Sequence, residues 1–197
     1  MKQLCLAIAA IFLFISCNNN QKSDSVEIAD SMNKAKIDSD LNNNDVNTPP
    51  AIKTDKESTL FLVNALNGGM AEVKLGELAQ QKATNAQVKN FAAMMIRDHG
   101  ASNNEITSLA KARNVTLPAS HGDEKQKIID DLKSRSGADF DRRFMRIMVM
   151  EHETAIGLFQ NATDVVNDVE VKNFIDNSLA KLRIHLDSAK VVSKIVN

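Results

Sequence analysis

The stretch Phe140 to Phe159, FDRRFMRIMVMEHETAIGLF, constrains this chain more than any other. At 3.6 residues per turn, the positions three, four and seven away from His152 are Met145, Met148, Val149, Ala155, Ile156 and Phe159. The imidazole therefore lies on an apolar stripe, and the exposed-looking face is no wider than Arg142, Arg143, Arg146, Glu153 and Gln160. Such a helix has to be largely buried against others. A polar ring in that setting must find a partner.

Four helix starts carry one signature, a capping residue followed three positions on by an acid or amide: Thr54 with Glu57, Thr84 with Gln87, Ser136 with Asp139, and Asn167 with Glu170. They predict helices over about 55–83, 86–113, 139–163 and 168–195. Between the second and third lie Val115-Thr116-Leu117-Pro118 and a short amphipathic helix near 122–134, with Ile128, Ile129 and Leu132 on one side. A connection of that length suits an all-α, ferritin-like four-helix bundle with a short extra helix in the crossover. An internal repeat agrees: Val88-Lys89-Asn90-Phe91 recurs as Val171-Lys172-Asn173-Phe174, and Phe61 precedes Phe144 by the same interval. Two similar helical hairpins follow. With no Trp, no Tyr and eight Phe, the core must be aliphatic with phenylalanine. Gly68, Gly69 and Gly76 inside the first helix cost about 1 kcal/mol each relative to Ala, which close helix approach would offset.

The N-terminal region reads differently. Lys2 precedes an apolar run from Leu4 to Ile15, too short for a bilayer span of roughly 20 residues. Ending at Ser16-Cys17, it resembles a bacterial lipoprotein signal, in which the cysteine is diacylated and becomes the new N-terminus. The resemblance implies a signal peptide over 1–16, a lipidated Cys17, and an outer-membrane lipoprotein facing the periplasm or the cell exterior. Cys5 leaves with the signal, so no thiol remains for a disulfide or metal. Residues 17–53 are rich in Asn, Asp, Ser and Lys and read as a disordered tether, with a short helix near 26–37 as a lesser alternative. The bundle occupies 54–197. Without residues 1–16, 23 basic residues face 25 acidic ones, a balance that argues against nucleic acid as a partner.

Several separated motifs occur in order: Gly69-Met70-Ala71-Glu72-Val73-Lys74-Leu75-Gly76, Val88-Lys89-Asn90-Phe91-Ala92, Met95-Ile96-Arg97-Asp98-His99, Val115-Thr116-Leu117-Pro118, Ser136-Gly137-Ala138-Asp139-Phe140-Asp141-Arg142, Met148-Val149-Met150-Glu151-His152 and Leu182-Arg183-Ile184-His185-Leu186. Over about 57–190 the chain resembles the DUF4142 family of bacterial envelope proteins. The resemblance implies an extracytoplasmic four-helix domain and hands over no reaction.

Each predicted long helix contributes one ligand-type residue in apolar company: Glu72, His99, His152 and His185. Two readings stand side by side. In the favoured one, Glu72 and the histidines form a structural hydrogen-bonded network joined by Asp98, Glu151, Arg97 and Arg183. The protein is then a non-enzymatic envelope binding or stress-associated module. In the other, Glu72, His99, His152 and His185 converge on Zn, Fe, Cu or Mn. Met95 and Met148, each four residues before a histidine, read as core filler before thioether ligands. The Glu-x-x-His pattern of di-iron bundles is absent, because Ile96, Val149 and Leu182 stand three before the histidines. No Gly-x-Ser-x-Gly turn or phosphate-cradling loop is present. His121, beside Gly122, reads as exposed. A protein partner is not identified, and homo-oligomerisation is left open.

Overall fold

A computed structural model describes residues 24–43 and 50–197; the expected signal peptide over 1–16 and the expected lipidation site Cys17 lie outside them. Among the described residues there are six helices and no strand: α1 (Ser25–Asn42), α2 (Lys56–Lys82), α3 (Ala86–Ala112), α4 (Asp123–Lys133), α5 (Gly137–Val165) and α6 (Val169–Val196). The four long predicted helices and the short α4 all form, within a few residues of the expected limits. α2 pairs with α3 and α5 with α6 as hairpins, while α2 also packs on α5 and α3 on α6.

The helix directions follow from the polar contacts at the ends. At one end the start of α2, the end of α3 and the start of α6 meet: Asp168 accepts from Thr54 Oγ1 at 2.9 Å and from Arg113 Nε at 2.6 Å, and its own N–H donates to Asp55 Oδ2 at 3.2 Å. At the other end Asp141, near the start of α5, accepts from Thr84 N, Thr84 Oγ1 and Asn85 N at 3.0, 2.5 and 2.9 Å. Residues 113–137 therefore run the length of the bundle, carrying α4, so that α5 starts beside the α2–α3 turn. This is the crossover a ferritin-like bundle requires.

Three of the four expected caps move by one residue. Asp55, Asn85 and Asp168 cap α2, α3 and α6, accepting from Ser58 N, Gln87 N and Glu170 N. Thr54 and Thr84 do not cap, because their hydroxyls bond the distant carboxylates of Asp168 and Asp141 instead. Ser136 is the N-cap of α5 but makes no side-chain capping bond. Asp141 is only 2% exposed. Asp141→Ala would remove all three of these hydrogen bonds to a buried carboxylate, and a loss of about 2 kcal/mol is expected in urea unfolding.

The repeat survives in three dimensions. Phe61 and Phe174 have ring centroids 6.2 Å apart, and their repeat equivalents, Phe144 and Phe91, are 6.3 Å apart. Each pair anchors its own apolar cluster. The first cluster holds Phe61, Leu62, Ile106, Phe159, Phe174 and Leu182; the second holds Leu75, Phe91, Met95, Phe140, Phe144 and Met148. Gly76 explains itself, since a Cβ there would lie 3.1 Å from the Ala92 carbonyl oxygen of α3. At Gly69 a Cβ would lie 2.1 Å from Asn103 Oδ1, whereas Gly68 faces open space and makes no close approach.

The disordered-tether expectation for residues 17–53 fails across Ser25–Asn42, which is helical and longer than the lesser alternative. α1 is held chiefly by polar clips. Asn33 donates to Thr116 O at 2.8 Å and accepts from Thr116 N at 2.7 Å, while Lys36 Nζ donates to Asn114 O at 2.7 Å. Asp24 accepts from Asp123 N at 2.6 Å, and Asp40 from Ala51 N at 2.5 Å. Asp24, Asn33 and Lys36 satisfy backbone groups between the end of α3 and the start of α4, and Asp40 one of the segment before α2, groups that would otherwise need water. Of α1's own residues only Ala29 and Asn33 are fully buried.

Candidate metal centre

The boundary between the two apolar clusters is a polar layer. Glu72 of α2, His99 of α3, His152 of α5 and His185 of α6 are all buried there. The three imidazoles form a near-equilateral triangle, with ring centroids 5.4–5.5 Å apart. Each histidine presents one nitrogen to the others, and those ligand atoms all lie within 4.8 Å of one another. Among the described residues no other group of His, Cys, Asp and Glu is so placed.

The outer nitrogen of each ring is occupied. Nδ1 of His99 lies 2.9 Å from Glu72 Oε2, Nδ1 of His152 lies 2.8 Å from Met148 O, and Nε2 of His185 lies 3.0 Å from Asp98 Oδ2. Each of those contacts is an N–H donating to an oxygen when the ring is neutral. The lone pair is then left on the other nitrogen. Those nitrogens, His99 Nε2, His152 Nε2 and His185 Nδ1, are buried and have no hydrogen-bond partner. A carboxylate or carbonyl fixing the far side of a ligating imidazole is the usual support of a metal-binding histidine.

Glu72 is not at the centre of the triangle. It stands behind it, with Oε2 on His99 and Oε1 3.5 Å from His152 Nδ1. Its position among the four expected ligands is therefore that of an orienting group. Burial works against its charge, yet the neighbouring His99 and His152 together outweigh that cost and hold its carboxyl at about 2. His99 is raised, because the Glu72 carboxylate overcomes the effect of burial. His185 is pushed down to about 4, first by burial and then by His99, so it is neutral at pH 7.

Of the wider network, Asp98 joins across to α6 and not to its neighbour His99, as the divergence of adjacent helical residues requires. Arg97 braces Asp98 from outside at 2.8 Å. Glu151, 6% exposed, pairs with Lys125 of α4. Arg183 is exposed and makes no ion pair with any described residue, which removes it from the network. Met95 and Met148 are buried in the second apolar cluster. Met148 contributes through its carbonyl. Lys125 escaped the sequence reading because nothing in the 122–134 pattern ties it to a residue 26 positions away. His121 is half-buried, not exposed.

A family model described as a domain of unknown function, DUF4142, matches residues 44–192. No curated protein matches the chain. Among solved structures, a DUF305 fragment from Deinococcus radiodurans is similar with a TM-score of 0.63 and 13% identity, covering 72% of this chain and 97% of its own. CopM in its Cu(II)-bound form gives 0.60 and 20%, covering 71% and 97%. CopM in its Cu(I)-bound form gives 0.57 and 21%, covering 68% and 92%. At such identities the likeness is one of fold.

Proposed function

Since this chain belongs to the DUF4142 family, whose description assigns no activity, we propose on the strength of its own side chains that it is a metal-binding bundle, with His99, His152 and His185 as ligands for a divalent first-row ion, Cu(II) or Zn(II). One observation carries the reading: three buried nitrogens, one from each ring, lack partners while the opposite nitrogens are all engaged. A self-contained structural network would use those atoms, because each unmatched buried polar group costs about 1–3 kcal/mol. A metal ion satisfies all three at once. Imidazole suits both ions, and affinity for nitrogen donors peaks at copper in the divalent series. Ligation needs nitrogens about 3.4 Å apart for bonds of 2.0–2.1 Å, so binding an ion would draw the rings in from their present spread of up to 4.8 Å. CopM, a similar fold, is known with copper bound, which supports the capacity of such a bundle and nothing about these particular ligands.

The bundle in this reading is an outer-membrane lipoprotein held by acyl chains on Cys17. The support is the short apolar run Leu4–Ile15 ahead of that cysteine. No described helix is long and apolar enough to cross a membrane. Two or more acyl chains anchor stably where one does not.

Full-length protein purified in detergent, loaded with Cu(II) or Zn(II) and dialysed, is expected to retain one ion per chain. The His99→Ala, His152→Ala, His185→Ala triple variant is expected to retain none. Wild-type protein that is helical by circular dichroism yet holds no ion would leave the structural-network module as the surviving reading.

A further inference from the structure

α6 has two unlike faces. Val171, Phe174, Ile175, Leu182, His185 and Ala189 turn into the bundle, against α5 and α3. On the outer side Val169, Ala180, Ile184, Val191 and Ile195 fall within about 80° of arc at 100° per residue. Ile184, Val191 and Ile195 are 61, 59 and 50% exposed, and Val169 is 71% exposed. Four of the nine exposed large hydrophobic residues described therefore share this one helix face. Single exposed apolar residues are ordinary, whereas an aligned stripe of them marks a contact surface.

The charges along one edge of the stripe identify what covers it. Asp176, Arg183, Asp187 and Lys194 lie within about 40° of one another there, all exposed. None forms an ion pair among the described residues. Arg183 and Asp187 stand two positions either side of residue 185, and Asp176 and Lys194 stand nine either side. When two copies of α6 lie antiparallel about a two-fold axis at that height, residues equally far from the centre on one edge face each other. Arg183 then meets Asp187 of the second copy, Asp176 meets Lys194 of the second copy, and the symmetry makes each pair twice. The same register brings the two Ile184 side chains together near the axis. It also sets Val191, six positions after the centre, against Ala180, five before it. A parallel pairing would instead set each charge against its own copy, a repulsive arrangement.

We propose that the outer face of α6 is the interface of a reversible homodimer, and that its occupant is a second copy of this chain with α6 antiparallel. The apolar stripe supplies the attraction, and the alternating charges fix direction and register. Exposed ion pairs add little affinity one by one, so the isoleucines and Val191 carry most of it. The interface is separate from the metal centre, because His185 points to the inner face.

Sedimentation equilibrium of the full-length protein tests this, in density-matched detergent with micelles in excess over chains and no added metal. A monomer–dimer equilibrium that saturates at two copies is expected. Ile184→Glu, which sets two like charges near the axis, is expected to weaken dimerisation by more than about a hundredfold while helicity stays unchanged. Arg183→Glu is expected to weaken it about tenfold, and combining it with Asp187→Arg is expected to restore the wild-type equilibrium. A chain that stays monomeric at every concentration, leaving the stripe to detergent or to an unrelated partner, would overturn the proposal. So would a mass that climbs past two copies without saturating, or a dimer indifferent to Ile184→Glu. An Arg183→Glu defect that Asp187→Arg does not repair would overturn the antiparallel register.

Discussion

His152→Ala is expected to weaken Cu(II) or Zn(II) binding by more than about a hundredfold, because loss of an orienting partner alone costs 10- to 100-fold and a ligand counts for more. Thermal unfolding reads the effect. Metal at about 1,000 times its Kd stabilises a fold that binds it by about 4 kcal/mol, which raises Tm by roughly 8–16 °C for a domain of this size. The wild type should show that rise, and His152→Ala should lose it. Glu72→Gln makes the sharper comparison. It keeps an amide oxygen for His99 Nδ1, 2.9 Å away in the native pair, and removes only the charge. Helicity should survive while metal binding falls 10- to 100-fold. A purely structural network predicts the reverse pattern: His152→Ala destabilises the metal-free protein and added metal shifts neither Tm.

Arg113→Ala is expected to lower the unfolding free energy by about 3–5 kcal/mol, and Tm by about 10 °C. The guanidinium is 7% exposed and its partner carboxylate, Asp168, 13%. Arg113 reaches both Asp168 oxygens, through Nε at 2.6 Å and through Nη2. It also donates to Leu109 O at 3.1 Å and to Glu170 at 2.9 Å. Asp168 in turn caps α6 and accepts from Thr54 of the segment before α2. Truncating the arginine leaves that carboxylate uncompensated where three helix ends meet. The same pair carries a pH signature. The Arg113 hydrogen bond first, and with it the capping N–H groups, hold Asp168 at about 2 in place of its ordinary 3.8. A depressed carboxyl contributes stability that is complete above pH 4 and is lost as pH falls toward 2. The contribution is about 2 kcal/mol. Urea unfolding of wild type between pH 5 and pH 2 should show that loss, and in Arg113→Ala the slope over this window should flatten.

The helices and their order were legible because their causes are local. Apolar spacing around Phe91, Phe144 and Phe174, and polar starts near 54, 84, 136 and 167, act within a turn or two of the chain. The register of the caps was not. Thr54 and Thr84 look like caps beside Glu57 and Gln87, but their hydroxyls are claimed by carboxylates 114 and 57 residues away. α1 was legible only as the lesser alternative near 26–37, for the opposite reason. Its residues lack an apolar period, and it is fastened by Asn33 and Lys36 to the backbone of the α3–α4 connection and by Asp40 to that of the segment before α2, contacts that the local pattern does not reveal.

That Glu72, His99, His152 and His185 turn inward follows from the company each keeps on its own helix, and so was present in the linear order of residues. Their roles inside were not. Whether a nitrogen faces the triangle or a carboxylate is decided by what the neighbouring helix places behind the ring: Glu72 for His99, the Met148 carbonyl for His152, Asp98 for His185. Helical periodicity sets the direction of a side chain about its own axis. The height and rotation of one helix against another, which follow from packing around Gly76 and the two phenylalanine clusters, determine which atoms finally meet.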